Sequence, residues 1–141
     1  MTPMSTPQTP APPLAVSAAV LVREGRLLVV SKQAAPGLFY LPGGKPDPGE
    51  TPEEALHREL AEELGITLRH HRFLAEIHAT AALEGVPMRM RVYEVDTSDT
   101  PRPAAELAAL RWTDGRDPDL RLAPAVSGQV VPLLRERGLL S

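Results

Sequence analysis

The segment from Thr51 to Gly65 constrains the fold of this chain more than any other part of its sequence. Thr51 can cap the start of a helix, and Glu54, three residues later, completes a capping box. Pro52 suits the first helical position, and Gly65 favours a left-handed helix end. Apolar residues recur at every fourth position and would form one buried stripe: Leu56, Leu60 and Leu64. The pattern predicts an amphipathic helix that packs on a larger body of the protein.

Three glutamates lie beside this stripe, at positions i, i+3 and i+4 of the predicted helix: Glu59, Glu62 and Glu63. That spacing places three carboxylates on one strip of the helix surface. Clustered negative charges do not stabilise a fold by themselves, and a solvated helix face is the alternative interpretation. A divalent cation held by oxygen ligands would account for the cluster. Arg58, four residues before Glu62, could hold the strip in position.

Two adjacent glycines, Gly43 and Gly44, precede the predicted helix and follow a short apolar strand at 38–41. Because glycine lacks a side chain, such a pair allows a tight turn that exposes main-chain amides and carbonyls to a ligand. A metal-bound phosphate could approach the backbone there. Most Gly-Gly pairs are turns without a ligand, so this feature gains its meaning from the carboxylate strip that follows.

The segment from Gly44 to Ile66 resembles the signature sequence of the Nudix hydrolases, with each required position filled at the required spacing. The preceding residues 37–44 resemble the segment that leads into this signature, with Phe39 where a tryptophan is common. The resemblance implies hydrolysis of a diphosphate bond in a nucleoside diphosphate linked to another moiety. It also implies an α/β architecture, the Nudix fold, in which a mixed β-sheet is sandwiched between α-helices.

The resemblance further implies a role for each residue of the signature. The metal ligands would be one main-chain carbonyl and three carboxylates: Gly43, Glu59, Glu62 and Glu63. Mg²⁺ is the expected cofactor, with Mn²⁺ as the alternative metal. Arg58 would orient the first carboxylate, Gly44 would support the loop, and Glu50 would brace that loop or reach a second metal through water. The carboxylate of Glu62 or Glu63 would deprotonate the attacking water.

Four residues outside the helix are further candidates. Glu106 precedes an Arg-Trp strand, as in relatives whose glutamate from this region reaches the metal or acts as base; a solvent-facing charge is the alternative. Lys45 follows the glycine pair and would add positive charge near the substrate, although a solvated lysine is the alternative. Arg89 and Arg91 lie on one face of a predicted strand and could bind substrate phosphates. The alternative for this pair is a solvated strand face.

The composition argues against several other functions. A formal net charge of −3 offers no basic surface for a nucleic-acid polymer. The absence of cysteine excludes disulfides, thiol nucleophiles and thiolate metal sites. No apolar run is long enough to span a bilayer, so we expect a cytoplasmic protein without a membrane partner. Its expected partner is a small-molecule nucleotide derivative. The sequence does not decide whether two copies form a homodimer.

The chain is expected to form one domain behind a tail. Residues 1–13 hold five of the 16 prolines and would form a flexible tail, whereas residues 14–141 would form the Nudix domain. Hydrophobic periodicity predicts strands and a closing helix outside the signature: strands at 16–22, 26–31, 38–41, 72–79, 86–95 and 107–113, and a helix at 125–137. The pair Glu24-Gly25 predicts a hairpin between the first two strands. Alternation in the strand at 86–95 predicts one apolar and one polar face.

The substrate stays open at this stage, because no marker of a substrate class lies outside the signature. A modified nucleoside triphosphate or a nucleotide sugar is the leading candidate, and ADP-ribose is a further one.

Two other classes of protein share parts of the pattern. A non-catalytic nucleotide-binding module on the same fold usually lacks the glutamates, which are all present here. An isomerase of isoprenoid diphosphates on a related fold would need a catalytic cysteine, which this chain lacks.

Overall fold

The computed structural model describes residues 12–141, and within that range it contains eight strands and two α-helices. The strands are β1 Leu14–Val20, β2 Val22–Arg23, β3 Arg26–Lys32, β4 Ala35–Tyr40, β5 Gly43–Gly44, β6 His70–Thr80, β7 Pro87–Asp96 and β8 Leu107–Thr113. Helix α1 spans Pro52–Leu64, and α2 spans Val131–Glu136 after a π-helical segment at Val126–Val130. The predicted tail falls mostly on residues 1–11, which lie outside the described residues.

The strands form two sheets. In the first, the order is β5-β1-β7-β6; β1 and β7 run parallel, and the other neighbours are antiparallel. In the second, β3 pairs antiparallel with β2, β4 and β8. Glu24 and Gly25, with φ of 53° and 75°, form the two-residue turn of the predicted hairpin between β2 and β3. The mixed strand directions are confirmed, although two sheets replace the single sheet that we expected.

Helix α1 begins and ends as its sequence predicts. The Thr51 hydroxyl accepts a hydrogen bond from the Glu54 amide at 3.1 Å, and the Glu54 carboxylate accepts one from the Thr51 amide at 2.9 Å. Gly65 ends the helix in the left-handed conformation, with φ of 66°. The three leucines of the stripe are at most 1% exposed, and they pack in one core with residues of β1, β3 and β7.

Strand β7 differs from the prediction on one face. The alternating pattern predicts a polar face that includes Tyr93, but Tyr93 is only 1% exposed. It packs in the core under α1 together with Val95, while Met90 and Val92 pack in a second core on the opposite face. The prediction of a polar face is wrong only at Tyr93, because α1 covers that end of the strand, whereas Pro87 and Arg89 on the same face are exposed.

The closing helix is interrupted near its start. The sequence predicts one regular helix over 125–137, whereas the structure has a π-helical segment followed by the short helix α2. Pro132 has no amide hydrogen, and its ring crowds the carbonyl four residues earlier, so regular α-helical bonding cannot pass through this point. The Val131 amide instead donates to the Val126 carbonyl, five residues back.

The two cores give the molecule its layers. One core lies between α1 and the strands, and the other lies between the strands and the segment that contains α2. Strands of both sheets contribute to each core, so the sheets are sandwiched between helices, as the family resemblance implies. Neither described α-helix is long and apolar enough to cross a membrane.

Truncation of the central leucine of α1 tests the core beneath this helix. Leu60 has no exposed surface, so Leu60→Ala removes buried methyl groups and leaves a cavity. We expect the free energy of unfolding to fall by about 2–5 kcal/mol in urea denaturation. Val86→Ala is the control, because Val86 is 43% exposed, and its cost should stay within about 0.5 kcal/mol. Equal costs for the two changes would contradict a packed core at Leu60.

Candidate active site

Gly43 and Gly44 form the short strand β5, whereas the sequence suggests an isolated turn. They pair antiparallel with Ala18 and Ser17 of β1. Gly43 has a φ of 146°, and a Cβ atom there would overlap the Ser17 carbonyl oxygen. A Cβ atom at Gly44 would overlap the Glu59 carboxyl group. Because neither residue has a side chain, β1 and α1 can approach the same main-chain segment closely.

The Arg58 guanidinium connects α1 with the loop that precedes it. Its Nε and Nη2 atoms donate to the two carboxylate oxygens of Glu50, at 2.8 and 2.9 Å. Nη2 also donates to the Lys45 carbonyl at 3.1 Å, and Nη1 donates to Glu59 at 2.9 Å and to Glu62 at 3.2 Å. The bonds from Arg58 to Glu50, together with one from the Asp47 amide, lower the pKa of the Glu50 carboxyl to about 2. One side chain therefore ties the loop to two carboxylates of the strip.

Glu63 is the buried carboxylate of the strip, with 3% of its surface exposed. Its Oε1 atom accepts a hydrogen bond from the Gly43 amide at 3.2 Å. Burial raises the pKa of Glu63 to about 7, and the nearby Glu59 carboxylate adds to the rise. Burial also raises the pKa of Glu59, where the Glu62 and Glu106 carboxylates act in the same direction. Negative charge on Glu59 and Glu63 is therefore costly unless a positive charge accompanies it.

Glu62 is placed differently from the other two glutamates. Its side chain is 56% exposed and pairs with Arg58. Within residues 12–141, no three His, Cys, Asp or Glu side chains are gathered closely enough to hold a metal ion. The strip that the helix spacing predicts is thus divided. Glu59 and Glu63 approach the glycine strand, while Glu62 lies on the solvent side.

A cavity of about 380 Å³ lies beside these residues, within the range of about 300–1,000 Å³ that is typical of small-molecule sites. Its polar lining consists of Lys32, Tyr40, Gly43, Gly44, Lys45, Asp47, Glu59, Thr80, Glu84 and Glu106. Its apolar lining consists of Leu14, Val16, Leu41, Ala81, Ala82, Leu83, Met88, Met90, Ala123, Ala125 and Val126. The cavity therefore suits a ligand that has a charged part and an apolar part.

Glu106 and Lys45, two candidates from the sequence, both line this cavity. The Glu106 carboxylate is 60% exposed and lies 3.4 Å from the Lys32 ammonium. Lys32 also lines the cavity, yet the sequence does not single it out, because a lysine at a strand end resembles an ordinary solvated charge. Only the pairing of β3 with β8, which sets Lys32 opposite Leu107, brings it next to Glu106.

Arg89 and Arg91 are not brought to the cavity. Successive side chains of a strand lie on opposite faces, and Met88 and Met90 occupy the face of β7 that lines the cavity. The two arginines therefore lie on the other face, where they approach the Glu76 carboxylate at 3.7 and 3.8 Å. The structure gives no support to the predicted contact of these arginines with substrate phosphates, because the sheet separates them from the cavity.

Glu59 and Glu63 form what we call the carboxylate end of the candidate site, and their oxygen atoms fit a hard divalent cation. Carboxylate oxygens are the ligands that such ions prefer, and burial raises the pKa of Glu59 and of Glu63, so their charged forms are disfavoured even though Arg58 donates to Glu59. A cation there would relieve both burial and mutual repulsion. Glu62 could join the other two after leaving Arg58. The metal-binding roles of these residues stay predictions.

This combination of a carboxylate-bearing helix and a cavity with charged and apolar parts, on an α/β sandwich, is typical of a hydrolase of phosphate compounds. The comparison with protein families agrees with this class. The NUDIX domain model matches residues 11–134. The chain therefore belongs to the Nudix family of hydrolases, enzymes that act on nucleotide derivatives and generally use divalent metal ions. The resemblance of the sequence to this family is confirmed.

Individual relatives agree with this membership. The chain is 34% identical over 124 residues to a Mycobacterium tuberculosis protein provisionally named 8-oxo-dGTP diphosphatase 2, over 85% of this chain and 87% of that protein. The crystal structure of a MutT NUDIX hydrolase from Burkholderia pseudomallei shares 34% identity and a TM-score of 0.71, over 82% and 93% of the two chains. A shorter match, 46% identical over 56 residues, covers 38% of this chain and 21% of the NAD-capped RNA hydrolase NudC of Chromobacterium violaceum.

A methyl group at Gly44 tests the contact between β5 and α1. In Gly44→Ala the new Cβ atom would displace the Glu59 carboxyl group, and small displacements in an active site reduce rates strongly. We expect kcat to fall by about 10- to 100-fold, measured as phosphate release from a hydrolysed nucleotide. Gly37→Ala is the matched control, because nothing lies within 4 Å of a Cβ atom there. A wild-type kcat in Gly44→Ala would contradict the tight contact.

Proposed function

We propose that this protein hydrolyses a diphosphate bond of a nucleoside triphosphate, with a triphosphate altered in its base as the leading substrate. The division of the cavity carries this proposal: carboxylates and lysines form one part of its lining, and apolar side chains form the other. A nucleotide has the matching division, because its phosphates are anionic while its base is flat and largely apolar. The name of the M. tuberculosis relative describes an oxidised guanine nucleotide, which supports this class of substrate.

Magnesium is the metal that we propose for the carboxylate end, with manganese as the alternative. Glu59 and Glu63 would hold the ion, together with the Gly43 carbonyl. Glu62 would complete the set after its release from Arg58. A divalent ion bound there would neutralise phosphate charge and lower the pKa of the attacking water.

The charged side chains of the cavity would bind the phosphates and accept a proton. Lys32 and Lys45 supply positive charge in the polar lining, where it would attract phosphate oxygens. A carboxylate must accept the proton of the attacking water. Glu106 is engaged with Lys32, so we assign this role to Glu62 or Glu63 and give Glu106 the supporting role of holding Lys32 at the cavity.

The apolar lining would hold the base. Met88 and Met90 of β7 contribute to it, and Val126 contributes from the segment before α2. Methionine is flexible and polarizable, so it adapts well to the face of an aromatic ring. The same lining would accept a base with an added oxygen, because methionine side chains adjust to small changes in the shape of a ligand.

A free nucleotide, and not a nucleic-acid polymer, is the substrate that we propose. The name of NudC describes a capped RNA, but the net charge of this chain is −3, which disfavours binding to a polyanionic backbone. A cytoplasmic location agrees with a substrate of this kind and stays an expectation from the sequence. Whether two copies pair as a homodimer stays open.

Replacement of each helix glutamate by glutamine tests the carboxylate end. Glu59→Gln, Glu62→Gln and Glu63→Gln keep the side-chain size and remove its charge. We expect each to reduce turnover by on the order of a hundredfold, as for loss of a metal ligand or a base. The measurement is hydrolysis, with magnesium, of nucleoside triphosphates, oxidised nucleotides, ADP-ribose, nucleotide sugars and dinucleoside polyphosphates.

Glu94→Gln is the control for this series, because Glu94 lies on β7 outside the cavity lining and pairs with Arg72 at 2.7 Å. It should retain wild-type turnover. Near-normal activity in all three helix variants would remove the basis for the proposed site. A wild-type protein that binds nucleotides tightly but hydrolyses none would instead be a non-catalytic nucleotide-binding module.

Removal of the metal tests the proposed cofactor. We expect a chelator to abolish turnover of the wild-type protein and magnesium in excess to restore it. Magnesium alone should also raise the melting temperature, because a ligand that binds only the folded state stabilises it. That rise should shrink in Glu63→Gln. Full turnover in the presence of chelator, after dialysis, would contradict a metal-dependent reaction.

A further inference from the structure

The two tyrosines of this protein differ in how their hydroxyl groups are satisfied. The Tyr93 hydroxyl donates to the Glu53 carboxylate at 2.9 Å and accepts from Arg91 Nε at 3.0 Å. The Tyr40 hydroxyl is also buried, but it has no hydrogen-bond partner within residues 12–141. Buried polar groups are nearly always paired, because an unpaired one has lost its bonds to water without replacement. The Tyr40 hydroxyl therefore requires an explanation.

The position of Tyr40 connects this unpaired hydroxyl with the cavity. Tyr40 is the last residue of β4 and belongs to the cavity lining. Its ring packs against the same core as Met90 and Val126, which form part of the apolar lining. Ser31 carries the other unpaired buried hydroxyl among the described residues, but it does not line the cavity. Tyr40 thus belongs to the lining of the proposed nucleotide site and carries a buried hydroxyl that has no partner among the described residues.

The surroundings of Tyr40 define the ligand atom that this hydroxyl can bind. Burial raises the pKa of Tyr40, and the carboxylates of Glu63, Glu106 and Glu84 raise it further. The phenol therefore keeps its proton and acts as a donor. None of these carboxylates accepts its hydrogen bond, and together they repel a further anion. A neutral oxygen is consequently a better partner than a phosphate oxygen.

We propose that Tyr40 is a specificity-determining residue, whose hydroxyl donates a hydrogen bond to a carbonyl oxygen of the nucleobase. The inference rests on the proposed function, because it requires a nucleotide in the cavity. A base packed against Met88 and Met90 would bring its polar edge to the wall that contains Tyr40. A base with a carbonyl group there accepts the hydrogen bond of the Tyr40 hydroxyl, whereas a base without one leaves that hydroxyl without a partner. A site of this kind discriminates strongly between such bases.

Tyr40→Phe tests this role, because it removes only the hydroxyl group. The substrates are dGTP and 8-oxo-dGTP, which carry the 6-carbonyl, and the deoxynucleoside triphosphate of 2-aminopurine, which has hydrogen at that position. We expect KM for the two carbonyl-bearing substrates to rise about three- to tenfold with little change in kcat, as for the loss of one hydrogen bond. KM for the 2-aminopurine nucleotide should not change.

A second readout does not depend on turnover. Binding of dGMP and of 2-aminopurine deoxynucleoside monophosphate is measured by calorimetry on wild type and Tyr40→Phe, and the same selective loss is expected. The melting temperature of free Tyr40→Phe should equal or exceed that of wild type, because the change removes an unpaired buried group. A lower melting temperature would show that the hydroxyl has a partner within the protein and would overturn the proposal.

Tyr93→Phe is the matched control, because it removes the other buried tyrosine hydroxyl outside the cavity lining. It should lower the melting temperature, since Glu53 and Arg91 lose a shared partner, and it should leave the selectivity between bases unchanged. Equal selectivity in Tyr40→Phe and wild type would overturn the proposal. So would an equal loss on bases with and without the carbonyl, which would indicate a contact with sugar or phosphate.

The outcomes separate this inference from the proposed function. Turnover by the wild-type protein without a selective effect of Tyr40→Phe would overturn the role of Tyr40 alone. Selective binding of the monophosphates without hydrolysis of any triphosphate would support Tyr40 and overturn the proposed hydrolysis. A wild-type protein that neither hydrolyses nor binds these nucleotides would overturn both.

Discussion

The bidentate contact between the Arg58 guanidinium and the Glu50 carboxylate is the interaction on which the candidate site depends. It closes the loop onto α1, and the same planar group reaches the Lys45 carbonyl and the carboxylates of Glu59 and Glu62. A planar guanidinium with donors in fixed directions can hold several acceptors in one arrangement, which a lysine cannot do. Without this group the acidic side chains would repel one another and separate.

The glycine strand and the buried glutamate are two consequences of one close packing. Gly43 and Gly44 let the main chain lie against β1 and α1, and this closeness keeps water away from Glu63. The Gly43 amide compensates part of the charge on Glu63 through one hydrogen bond. Burial still raises the pKa of both Glu59 and Glu63. Burial thus disfavours the charged forms of two carboxylates, even though Arg58 pairs with Glu59, and this is the physical basis of the proposed metal site.

Polar groups on the two faces of the first sheet have different roles: those on one face stabilise the fold, and those on the other face are available to a ligand. On the face under α1, Arg91 and Tyr93 satisfy each other and Glu53, so they stabilise the packing of the helix. On the opposite face, Met90 lines the cavity, and the buried hydroxyl of Tyr40 in the same lining has no partner among the described residues. Paired polar groups therefore lie on the face under α1, and a buried hydroxyl without a partner among the described residues belongs to the lining of the cavity on the other face.

Much of the fold and part of the site follow from the sequence alone, because they depend on residues within a few positions of each other. The capping of α1 by Thr51, its end at Gly65 and the carboxylate spacing belong to this group. The tertiary structure decided the remainder: that Glu62 lies apart from the other two glutamates, that Lys32 meets Glu106, and that Tyr93 of β7 is buried under α1. Those features depend on strand pairing and helix packing between distant segments, which local periodicity does not encode.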